Sequence, residues 1–112
     1  MGAFVISKKN NGQYKFVYNS RRGKIIGTSS GFELLSDCEA TIDLVRKNFD
    51  ISTLKINKAT NGKFFFEVVV NEQLVFVSRK YPTEFSFRKD IEECAKSISI
   101  AEILDFSVQE LF

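Results

Sequence analysis

Apolar residues occupy every second position along Tyr14-Lys15-Phe16-Val17-Tyr18, the period of a strand that buries one face. Phe4-Val5-Ile6 shows the same alternation, and the Asn11-Gly12 pair between the two runs supplies the turn chemistry of a hairpin. Ile25 to Thr28 predicts a third strand, reached through Asn19 to Gly23. The period then lengthens to about 3.6, because Leu35, Cys38, Ile42, Val45 and Phe49 form one apolar stripe, which predicts a helix. Ser36, with Glu39 three residues later, reads as a capping box at its start.

The whole pattern returns. Asn11-Gly12 recurs as Asn61-Gly62, an offset of 50, and the same offset pairs Phe4 and Ile6 with Leu54 and Ile56, and Phe16 with Phe66. It also pairs Ile25-Ile26 with Val75-Phe76 and Thr28 with Ser78. Asn71 to Gln73 lacks a glycine, so the turn into the second copy's third strand must be built differently from the first. The second helical stripe runs through Phe87, Ile91, Cys94 and Ile98 at an offset of 49, which places a one-residue deletion in the loop before it; Pro82, the only proline, sits in that loop. Leu104 and Phe106 then match Leu54 and Ile56 at 50 again. The fold class predicted is α+β: one domain, residues 1–112, of two tandem β-β-β-α(-β) repeats, about 2–52 and 53–112. They form one mostly antiparallel sheet with both helices on one face. The C-terminal strand is exchanged into the half begun by Phe4, with Phe106 in the core.

Composition supports a packed soluble domain and withholds most catalytic chemistry. Twelve Phe and no Trp, within 44% apolar residues, point to an aromatic core, and the net charge of +2 is too small to demand a polyanionic partner. The local basic cluster Lys8, Lys9, Lys15, Arg21, Arg22 and Lys24 reads as a solvated face. There is no His, the usual general base near neutral pH. The carboxylate pairs Glu92-Glu93 and Asp37-Glu39 fall on helices, where they face water or complement the helix dipole. Cys38 and Cys94 lie in the apolar stripes and are expected to be buried, reduced thiols. Gly27 and Gly31 miss the phosphate-binding glycine fingerprints. No catalytic residue, metal site or cofactor is therefore expected. With no apolar segment of spanning length and no secretory signal, the expectation is a cytoplasmic protein without a membrane partner.

The order of Asn11-Gly12, Phe16, Ile25, Ile26, Thr28, Ser29, Phe32 and then Ile42, Val45, Arg46, Lys47 and Asn48 resembles the YegP-like family, whose members carry this unit singly or in tandem. Val77, Ser78, Tyr81, Ile91 and Cys94 carry the likeness in the second half. The resemblance implies a β-β-β-α-β unit, two copies of which share one sheet by exchanging C-terminal strands. It implies no activity.

Two helices can cover only one face of such a sheet. If Tyr14, Phe16, Phe64, Phe66 and Val68 point at them, alternation sends Val5, Lys15, Val17, Lys55, Phe65, Glu67 and Val69 outward. Val17, Phe65 and Val69 make that face unusually apolar, which favours a binding module for a protein partner or a homodimer. The alternative is single-stranded nucleic acid stacked on Phe65 beside Lys15 and Lys55, against which Glu67 counts. An enzyme of unrecognised type is the least favoured reading.

Overall fold

The computed structural model describes residues 2–50 and 53–107. Its elements follow in the order β1 (Ala3–Lys8), β2 (Tyr14–Asn19), β3 (Ile25–Thr28), α1 (Leu35–Asn48), β4 (Lys55–Lys58), β5 (Phe64–Val70), β6 (Gln73–Ser78), α2 (Glu84–Ser97), a short 3-10 turn (Ile98–Ile100) and β7 (Glu102–Asp105). All seven strands form one sheet in the order β4-β5-β6-β3-β2-β1-β7. Every pairing is antiparallel except β1 with β7.

Both helices lie on the same face, as one side chain shows directly. Phe66 of β5 is fully buried, with Phe49 at the end of α1 packed edge-on 5.8 Å away and Phe87 of α2 at 6.3 Å. Phe76 packs on both Phe16 and Phe66, at 6.0 and 6.3 Å, so the two halves of the sheet share one aromatic core. Such ring pairs add about 0.5–1.5 kcal/mol each beyond area burial. The predicted stripes are the buried sides of the helices: Cys38, Ile42 and Val45 in α1, and Phe87, Ile91 and Cys94 in α2.

The turns differ from a simple two-residue Asn-Gly hairpin. Within each Asn-Gly pair the glycine alone takes positive φ, near +84° at Gly12 and +83° at Gly62, while Lys9 N–H donates to Gln13 O and Ala59 N–H to Lys63 O. These are three-residue loops ending in a left-handed glycine, and each preceding Asn carboxamide accepts from the backbone N–H two residues on, Gln13 and Lys63. The glycine-free turn between β5 and β6 places both Asn71 and Glu72 in the left-handed region, with φ of 51° and 65°. Val70 and Gln73 then pair directly. This is the two-residue form that matches strand twist.

That shorter turn moves the deletion inferred from sequence. Ser29 Oγ accepts Phe16 N–H at 3.0 Å and donates to Ser30 O, and Ser78 Oγ accepts Phe66 N–H at 2.9 Å and donates to Arg79 O. Tyr14 bridges Phe32 as Phe64 bridges Tyr81. In structural position Ser78 thus corresponds to Ser29 and not Thr28, and the one-residue difference between the two halves falls in the β5–β6 turn and not in the loop before α2.

Two further expectations are corrected. α1 begins at Leu35 with Leu34 as its N-cap and no side-chain cap, so Ser36 and Glu39 form no capping box. Ser36 is already helical, and a cap needs extended backbone at its own position. The capped helix is α2, where Thr83 Oγ1 accepts Ser86 N–H at 3.2 Å. β7 does join β1, in the register Phe4 to Ile103 and Val5 to Leu104. That register turns Ile103 toward the helices and Leu104 away. Phe106 follows Leu104 outward and is 66% exposed, outside the core. A one-residue change of phase moves every side chain to the opposite face.

Candidate interaction surface

The sheet face opposite the helices is built by alternation around fully buried neighbours. Phe4, Ile6, Phe16, Tyr18, Phe66 and Val68 point inward, so Val5, Lys15, Val17, Phe65, Glu67 and Val69 point outward. Register then joins one outward residue from each strand into a row that crosses the whole sheet: Leu104, Val5, Val17, Thr28, Val77, Glu67, Lys55. The first five of these are apolar or a threonine. Val69 and Leu74, paired and both exposed, extend the apolar area beside Val77.

Of the residues singled out from sequence, Val17 is central to this row and Val69 borders it. Phe65 is set apart: it is half-buried, faces Asn57 on β4, and has Lys80 Nζ 5.9 Å from its ring centre. Glu67 lies between Phe65 and Val69 and accepts a 2.8 Å hydrogen bond from Asn57 Nδ2. Lys55, on the edge strand β4, is opposite Glu67 of β5, whereas Lys15, on β2, is opposite Ser7 of β1. Four strand spacings separate β2 from β4, about 19 Å. Lys15, Lys55 and Phe65 therefore do not converge on one stacking platform.

Sequence reasoning missed Val77, Leu74, Leu104 and Ile25. Bulges between Tyr18 and Asn19, and between Val68 and Val69, break the alternation that would have phased Ile25, Leu74 and Val77, whereas Leu104 is phased only by its register with β1. The β3–β6 ladder holds only the pairs Gly27 to Ser78 and Thr28 to Val77. Beyond it the strands part, leaving a shallow cavity of about 190 Å³ bordered by Thr28, Ser30, Leu74, Val75 and Val77. Gly27 has no room for a Cβ, which would lie 2.4 Å from the Phe76 ring and 2.7 Å from Val77 O. The close approach of β3 and β6 requires glycine there.

Among the described residues, no three His, Cys, Asp or Glu side chains are grouped so as to hold a metal ion, and no helix is long and apolar enough to cross a membrane. Both cysteines are free and buried. Burial, reinforced by nearby Asp and Glu charges, pushes the Cys38 thiol up from 9.0 to about 11 and Cys94 to about 12. The thiolate is the reactive form, so labelling of native protein by a thiol reagent at neutral pH is expected to be far slower than labelling of the urea-unfolded chain. Equal rates would refute this. The same shifts give stability that is complete below about pH 9 and is lost as pH rises through 11 to 12. Burial also raises the Tyr81 hydroxyl, whose proton is donated to Asp90 Oδ2 at 2.8 Å; Asp90 also pairs with Lys24. This network fastens the β2–β3 turn to α2.

No protein-family model matches the chain. Among curated proteins, it is 32% identical over 108 residues to a UPF0339 protein of Acinetobacter baylyi, covering 95% of this chain and 97% of that one. It is 33% identical over 84 residues to the UPF0339 protein YegP of Escherichia coli K12, covering 73% and 76% of the two chains. Among solved structures, the solution NMR structure of a UPF0339 protein from Shewanella oneidensis superposes with a TM-score of 0.90 at 25% identity, covering 97% of this chain and 94% of that one. The NMR structure of E. coli YegP, a protein of unknown function, gives 0.89 at 25% identity, covering 97% and 96%. From this likeness across nearly its full length, in sequence and in fold, the chain belongs to the UPF0339, YegP-like family.

Proposed function

We propose that this domain is a non-enzymatic interaction module whose helix-free sheet face binds protein, in the first instance a second copy of itself. The supporting observation is the row Leu104, Val5, Val17, Thr28 and Val77, flanked by Val69 and Leu74, which no element of the described chain covers. Contiguous exposed apolar area of this kind characterises partner surfaces. The sheet edges serve self-association less well. β4 carries Lys55 and Lys58, and β7 carries Glu102 and Asp105, so pairing either edge with its own copy across a two-fold axis sets like charges together.

Light scattering across a concentration series is expected to show the mass rising toward a dimer for the native chain. The double variant Val17→Ser/Val77→Ser should stay monomeric while keeping its circular dichroism. A monomer at every concentration for both proteins eliminates the self-association reading. A dimer that persists in the variant moves the interface off this face.

A further inference from the structure

The exposed side of α2 borders a groove in two lobes, of about 510 and 360 Å³, that share Arg21, Lys89 and Glu93. One wall is the β2–β3 turn, with Ser20, Arg21 and Arg22. The other is the helix stripe Phe85, Lys89 and Glu93, whose members lie four residues apart and so rise along one side in steps of about 6 Å. In the smaller lobe the charges do not cancel. Lys24 is engaged by Asp90 at 3.4 Å, and Asp90 also accepts from Tyr81, so this pair neutralises itself. Arg21, Arg22 and Lys89 have no ion-pair partner among the described residues; Glu93 faces them in this lobe, and Glu92 joins it beside Arg21 and Lys89 in the larger one. At the same end, Phe85 is 79% exposed, the most exposed large apolar side chain described.

Two adjacent guanidinium forks, an ammonium and an unpacked aromatic ring are the elements that recognise a phosphoryl group carried by an aromatic base. Arginine matches phosphate geometry with paired hydrogen bonds, and a bare ring offers a face on which any base can stack. The lobe's size lies within the usual range of small-molecule sites. Glu93, one turn beyond Lys89, sets a negative charge past the cations, so the phosphoryl group is placed at the Arg21, Arg22 and Lys89 end of the lobe. We propose that this groove binds a nucleoside monophosphate, free or as the phosphorylated end of a strand, with its phosphoryl group on Arg21, Arg22 and Lys89 and its base against Phe85. The site is on the helix side of the domain, independent of the sheet face above.

Backbone NMR titration of the full chain tests the assignment with adenosine monophosphate, inorganic phosphate and a short 5′-phosphorylated oligonucleotide as probes. Saturable shifts are expected at Ser20 to Lys24 and Phe85 to Lys89, with the nucleotide binding at least about tenfold more tightly than inorganic phosphate, as the added stacking requires. Arg21→Ala/Arg22→Ala should weaken nucleotide binding about tenfold or more through the lost charge-assisted bonds, with the rest of the spectrum unmoved. Phe85→Ala should lower the nucleotide's affinity to that of inorganic phosphate. Tighter binding of the oligonucleotide than of the free nucleotide would assign the strand end as the source, and the reverse order the free nucleotide. The proposal is overturned if no saturable shift arises in the groove, or if the double arginine variant binds the nucleotide as well as the native chain does.

Discussion

A chain ending at Ser99 is expected to be less stable than the full chain by about 3–5 kcal/mol, the sum of a few ladder hydrogen bonds and partly buried apolar side chains. The truncation deletes β7, whose four residues pair in parallel with Ala3 to Ile6. It also deletes Ala101, which is buried and whose carbonyl accepts from Arg46 Nη2. Arg46 would then lose the partner that carries the end of α1 across to the last strand. β1, flanked by β2 and β7 in the intact chain, would become an edge bearing Phe4 and Ile6, both fully buried in that chain. A loss of this size is a large share of a small domain's total stability. Urea unfolding followed by far-UV circular dichroism measures it, and an unchanged midpoint would show that β7 contributes nothing to the sheet. Phe106 separates the strand from its tail: because it is largely exposed, Phe106→Ala should change stability by no more than about 0.5 kcal/mol.

Phe66→Ala should cost about 3–5 kcal/mol, the range for removing a fully buried aromatic ring. The figure belongs at the upper end of core substitutions because Phe66 contacts Phe49, Phe76 and Phe87, and so holds both helices and the centre of the sheet together. No neighbouring chain end can collapse into the void, since every side of the ring is fixed by a strand or a helix. Phe65 supplies the control one position away. Its side chain points to the other face, so Phe65→Ala should cost well under half as much as Phe66→Ala in the same urea experiment. Equal losses for the two would mean that the phase of β5 is wrong.

Local periodicity determined much of this protein. The alternation of Phe4 with Ile6 and of Tyr14, Phe16 and Tyr18, the stripe from Cys38 to Val45 and that from Phe87 to Cys94 each report which side of an element is buried. A residue's face depends only on its near neighbours once the element type is known. The burial of Cys38 and Cys94 was legible for the same reason, and the turns at Gly12 and Gly62 from the Asn-Gly pairs themselves. The outward direction of Val17, Phe65 and Val69 was legible too.

Tertiary structure decided whatever depends on register between distant segments. Leu104 and Phe106 match Leu54 and Ile56 in pattern, yet pairing with β1 turns Ile103 inward and leaves Phe106 in solvent, because Ile103-Leu104 offers two phases and only the partner strand selects one. Ser29, and not Thr28, acts as Ser78 does, since a single residue dropped from a turn is invisible until the ladder fixes which hydroxyl meets Phe16 N–H. Val77 joined Val17 only when β6 was laid beside β3 across the middle of the sheet. Arg21 and Arg22 are sixty-odd residues from Lys89 in the chain and share a groove with it only because the β2–β3 turn packs against α2. Local period carries no information about such pairings, because their free energy comes from contacts that exist only after the chain has folded.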